Sequence, residues 1–166
     1  MNNKFFILFL FIISSVCYSQ NNNTPKNSIN AVLDAWHKAA ANANFDKYFS
    51  YMSEDAIFIG TDATENWNKE EFKAYAKPHF DKGKAWSFTT LERNIYFSAD
   101  KKTAWFDELL DTQMKICRGS GVLIKVNNEW KIAHYVLSIS IPNDLSGEII
   151  TIKTASDNLL LQQLKQ

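Results

Sequence analysis

Apolar positions recur at helical spacing over the first third of the chain and at strand spacing over most of the rest. Ile29, Val32, Leu33, Trp36 and Ala40 share one helical face, and Ser28 is the expected N-cap. Phe45, Tyr48, Phe49 and Met52 repeat the pattern in a second, shorter helix. Residues 56–60 (AIFIG) form a short strand, and residues 61–67 a polar loop that carries Trp67. Asn68 followed by Glu71 has the spacing of a capping box, and Phe72, Tyr75 and Ala76 give the third helix its apolar face. After Gly83 the runs 85–98, 103–111, 116–126 and 130–141 alternate as strands between turn residues. Beyond Pro142, NLLLQQL predicts a last helix. Three helices, an early strand and a four-strand meander make an α+β fold. Its helices pack on a strongly curved antiparallel sheet that forms a cone with an internal pocket.

Within the strand at 103–111, Asp107 and Glu108 are neighbours and therefore point to opposite faces. Turn lengths separate them. A turn at 112–115 places Asp111 beside Ile116, and so Glu108 opposite Gly119 and Phe106 opposite Gly121. Asn127-Asn128 suits a two-residue hairpin loop, because both positions require positive φ. That loop places Val126 beside Glu129, Gly121 opposite His134, Gly119 opposite Val136 and Cys117 opposite Ser138. On this register the inner face reads Phe106, Glu108, Gly119, Gly121, Leu123, Ile132, His134, Val136 and Ser138. Asp107 faces out with Arg118, and Glu108 looks across two bare glycines towards His134. Glycine weakens a strand unless something approaches closely, so the expected use of that space is a small ligand or waters.

Composition narrows the classes. Lys4 and then a continuous apolar run from Phe5 to Ile13, followed by Ser14, Ser15 and Ser19, read as a cleaved secretory signal over residues 1–19. The run is too short to span a bilayer, which takes about 20 apolar residues. Residues 20–27 read as a flexible leader, 28–142 as the domain and 143–166 as the tail. Losing Lys4 from 18 basic residues leaves 17 against 18 acidic ones, a balance that suits neither nucleic acid nor a membrane surface. If Cys17 leaves with the signal, Cys117 is alone, and it reads as a small buried hydrophobe. His37, His79 and His134 are scattered: no metal site and no cofactor is expected. His37 lies beside Trp36 off the apolar stripe and is expected to face solvent.

The element order and the closing segment NNEWKIAHYVLS (residues 127–138) resemble the nuclear transport factor 2-like superfamily, in particular its SnoaL-like branch. The resemblance covers roughly residues 28–141. It implies a cone-shaped pocket lined by alternate residues that include His134 and Ser138, and a homodimer formed through the outer sheet face. Trp105, Leu109, Val122, Tyr135 and Leu137 would make that face apolar. Many relatives carry a second histidine two positions after the first; here that position is Val136.

Three functional readings follow. The first is an exported protein whose pocket, walled by Trp36, Tyr48, Phe58, Trp67, Phe106 and Ser138, binds a small, mostly apolar molecule without a defined reaction. The second, which the resemblance also implies, is an isomerase or lyase that moves protons with Glu108 as base and His134 as its partner. The third is a dimeric interaction or assembly domain that uses the outer sheet face and the tail. The expected partners are a small molecule and a second copy of the chain.

Overall fold

A computed structural model describes residues 24–165. The signal at 1–19, Cys17 and the first half of the leader, residues 20–23, lie outside the described residues. Helix α1 runs over Pro25–Ala41 and starts four residues earlier than the apolar stripe predicts. Thr24, not Ser28, is the N-cap: its side chain accepts the Asn27 N–H at 3.2 Å. Pro25 then takes the first helical position, where its missing N–H costs nothing. Helix α2, Phe45–Ser50, is capped by the Asn44 side chain. Met52 continues its apolar period but belongs to strand β1, Met52–Ile59, because the Tyr51 carbonyl is taken by the Ile132 N–H at 2.8 Å. A three-residue strand β2, Asn66–Asn68, leads into α3, Lys69–Asp81. The capping box is present in full: the Asn68 side chain accepts the N–H groups of Glu70 and Glu71, and Glu71 returns to the Asn68 N–H at 2.9 Å.

Strands β3 (Phe88–Phe97), β4 (Thr103–Thr112), β5 (Lys115–Val126) and β6 (Glu129–Ile139) form the meander. The six strands lie in the order β2-β1-β6-β5-β4-β3. The sheet is mixed rather than antiparallel throughout, because β1 runs parallel to β6. The intervening α3 and meander supply the long crossover that a parallel pair requires. The β4–β5 register is the expected one, with Glu108 opposite Gly119 and Phe106 opposite Gly121. Asn127 and Asn128 both adopt positive φ, 50° and 67°, and Val126 pairs with Glu129.

Beyond Ile132 the expected β5–β6 register fails. Leu123 pairs with Ile132 but Val122 with His134, so Ala133 is an extra residue, a β-bulge. From there the faces of β6 exchange. Tyr135 and Leu137 turn inward and are 0% and 5% exposed. His134 and Val136 turn outward, and Ser138 is exposed. Neither His134 nor Ser138 therefore faces the inside of the cone. Tyr135 and Leu137 are in turn unavailable to an outer apolar face.

The inside is packed. Ile29, Leu33 and Trp36 of α1, Tyr48 of α2, Phe106 and Leu110 of β4 and Tyr135 of β6 are all at most 3% exposed. Trp36, Tyr48 and Phe106, expected as ligand contacts, form this core. Trp36 stacks on Tyr48 (centroids 5.0 Å apart) and meets Tyr135 edge-on at 4.8 Å. After a 3-10 turn, Asn143–Leu145, the chain ends in α4, Ser146–Leu164, which buries none of its residues. No helix among the described residues is long and apolar enough to cross a membrane.

Candidate functional site

Glu108 is 0% exposed and sits at the centre of a hydrogen-bond network. Its Oε1 accepts from the His37 Nε2–H at 2.8 Å and from the Tyr135 hydroxyl at 3.0 Å. Its Oε2 accepts from the Arg93 Nε–H at 2.9 Å. The same guanidinium donates to Asp34 Oδ1 at 2.7 Å, Asn30 Oδ1 at 3.2 Å and Thr90 Oγ1 at 2.9 Å. Asn30, Asp34 and His37 recur at i, i+4, i+7 along α1, a polar stripe beside the apolar one. Arg93 lies directly across from Glu108 in the β3–β4 ladder. The network thus joins α1, β3, β4 and β6.

The chemistry of this cluster is that of an anchor. Burial by itself pushes the Glu108 carboxyl up, but the His37 bond and charge, with the Arg93 guanidinium, outweigh it and hold the pKa below 4.5. Burial, and then the Glu108 charge, push the Tyr135 phenol well above 10.0. An ionised carboxylate held by three donors is a weak base, and this one is 0% exposed. The two glycines explain themselves in the same way. A Cβ at Gly119 would run into the Tyr135 hydroxyl and the Glu108 side chain, and one at Gly121 into the Phe106 ring and the His134 carbonyl. The space they leave is filled by Tyr135 and Phe106, not by a ligand. His37, expected at the surface, is 5% exposed, and it replaces His134 as the histidine beside Glu108.

A second site lies where β1, α3, the stretch before β3 and the Gln113-Met114 turn converge. It is a cleft of about 130 Å³. Phe58, Trp67, Phe72, Tyr75, Trp86 and Phe88 wall it, joined by Met114 and Leu137. Of the residues expected to bind a ligand, Phe58 and Trp67 are here. The rings are stacked and near-parallel: Phe58–Phe72 at 3.9 Å and 14°, Trp67–Phe72 at 5.7 Å and 11°, Trp67–Tyr75 at 4.4 Å and 25°. Phe88 is the partition between the two sites, since it lines the cleft and also packs edge-on against His37 at 5.6 Å. Ser138 lines a different feature, an open groove of about 920 Å³ between α4 and the β1–β6 side of the sheet. Among the described residues no group of three or more histidines, cysteines or acids could hold a metal ion.

A family model described as a SnoaL-like domain matches residues 29–142. No curated protein sequence matches the chain. Solved structures share the fold at low identity. A nuclear transport factor 2-like protein from Cytophaga hutchinsonii is 15% identical, with a TM-score of 0.59 over 70% of this chain and 99% of its own. A protein of the same description and unknown function from Shewanella oneidensis is 18% identical, with a TM-score of 0.55 over 70% and 100%. A candidate dehydratase of that family from Streptomyces avermitilis is 10% identical, with a TM-score of 0.61 over 72% and 100%.

Proposed function

The chain belongs to the SnoaL-like domain family, and from that premise we propose that it is a binding protein whose aromatic cleft holds a small, flat, mostly apolar molecule without turning it over. The observation that carries this reading is the separation of acid from cleft. Glu108 is buried and fully bonded behind Phe88, while the open space is walled by stacked rings. The volume is close to the ~150 Å³ of an apolar cavity that takes up benzene. An isomerase or lyase mechanism would need Glu108 to touch its substrate, and the partition by Phe88 argues against that.

The test is mass spectrometry of the purified protein under native conditions, with a titration of benzene-sized aromatics followed by the Trp67 and Trp86 signals. Binding that weakens about tenfold or more in Trp67→Ala, in line with the loss of an aromatic contact surface, supports the reading. No adduct and no response to any of the aromatics refutes it.

Export and pairing belong to the same proposal. The basic start and apolar run favour secretion, and the amino terminus of the mature protein should then be Gln20; an intact Met1 in the periplasm or medium would contradict this. A homodimer is favoured by the outer sheet face, where Tyr96 and Trp105, each 47% exposed, stack at 6.0 Å. Sedimentation of the wild type as a dimer and of Trp105→Ala as a monomer would support it, and a monomer at all concentrations would not.

A further inference from the structure

Resting on the cleft reading above, we infer that the preferred ligand is a small aromatic cation, with Glu65 as its counter-charge. Glu65 is the one charged residue in the cleft wall; its polar neighbours there, Thr61 and Gln113, are neutral. Its Oε2 is tethered by the Asp62 N–H at 3.1 Å, and among the described residues no lysine, arginine or histidine pairs with it. The loop is built to place this group. The Gly60 N–H donates to the Glu65 carbonyl, and the Glu65 N–H donates to the Asp62 carbonyl, each at 3.0 Å. A Cβ at Gly60 would strike the Glu65 carboxylate, so glycine lets that carboxylate lie against the backbone at the cleft. Its field reaches the aromatic wall: after burial, the Glu65 charge is the second cause that raises the Tyr75 phenol.

Ring stack and carboxylate ask for complementary things. Near-parallel rings favour a flat ligand that extends the stack, and π systems attract cations. A neutral ligand would desolvate the half-buried carboxylate without replacing its water, and an anion would be repelled. A planar cation with an apolar body satisfies both.

The probes are N-methylpyridinium and its neutral isostere toluene, with benzoate as the anion, each titrated into the purified protein. Indole N–H resonances of Trp67 and Trp86 report binding. The cation should bind about tenfold tighter than toluene, and benzoate weaker than either. Glu65→Gln should bring cation and toluene to near parity without changing toluene. Gly60→Ala, which displaces the carboxylate but keeps its charge, should lose part of the preference. Both variants are checked for folding by the remaining indole signals. Toluene binding as tightly as the cation overturns the inference and leaves the cleft reading standing. A preference that survives Glu65→Gln overturns the role of Glu65. Silence from all three probes removes the cleft reading, and this inference with it.

Discussion

Glu108 is stabilised as an anion inside the protein, and this sets how the fold responds to acid. Its folded pKa lies below 4.5, so its stabilising effect is complete above the unfolded value and is lost as pH falls through the lower folded one. Wild-type stability should therefore decline below about pH 4.5, while Glu108→Gln should show a flatter acid limb in denaturant melts at stepped pH. At neutral pH the same variant should cost about 3–5 kcal/mol, since the buried Arg93 guanidinium loses its counter-charge and one accepting oxygen becomes a donor NH2. Its affinity for cleft ligands, measured where the variant is folded, should stay within about twofold, because the cleft does not reach Glu108. Phe88→Ala removes the partition. The imidazole of His37, shielded in the wild type, should then react rapidly with diethyl pyrocarbonate; unchanged slow modification would show that other groups do the shielding. The inward direction of Glu108 follows from hairpin arithmetic on the sequence. Its partners do not, although Asn30, Asp34 and His37 at helical spacing are a signal for a polar stripe on α1 that can meet the sheet, and the 98–103 turn places Arg93 across from Glu108.

At the level of elements, one residue decides which side chains meet. Hairpin loops determine β4–β5 and the start of β5–β6, and those registers are legible because turn chemistry is local. The bulge at Ala133 is not, since no glycine or proline marks it and it lies where β6 pairs with β5 on one side and β1 on the other. Deleting Ala133 should restore a regular ladder and keep Tyr135 facing inward, because Val122 would still pair with His134. The high alkaline titration of Tyr135, followed by ultraviolet absorbance, should therefore persist in the deletion variant. Gly119 tests the same geometry from the facing strand. Gly119→Ala should cost about 1–3 kcal/mol by overpacking against Tyr135. Combined with Tyr135→Phe, which removes the hydroxyl it meets, the cost should be less than additive in chemical denaturation. The parallel placement of β1 is likewise tertiary, since strand pattern alone does not give direction.

At the scale of the whole molecule, the body and α4 behave as different materials. The body packs three helices on a six-stranded sheet around an aromatic core. Helix α4 carries Ile150, Ile152, Leu159, Leu161 and Leu164, all between 45% and 75% exposed. That apolar tail was readable from NLLLQQL; its failure to pack back on the domain was not. Removing residues 146–166 should shift the melting temperature by less than about 2 °C, because stability follows buried surface and α4 buries little. A larger drop would mean that the groove beside β1 and β6 carries real packing. The exposure of α4 also sets where a protease first finds the chain. A helix in a protein draws most of its stability from tertiary packing, and α4 buries none of its residues, so its backbone opens far more often than the β4–β5 ladder. Trypsin should therefore cut at Lys153 long before it cuts at Lys125 or Arg118. In dilute solution that nick comes early and leaves the domain intact. Where a second copy covers α4, the nick slows as protein concentration rises, and the digestion rate itself becomes a measure of association.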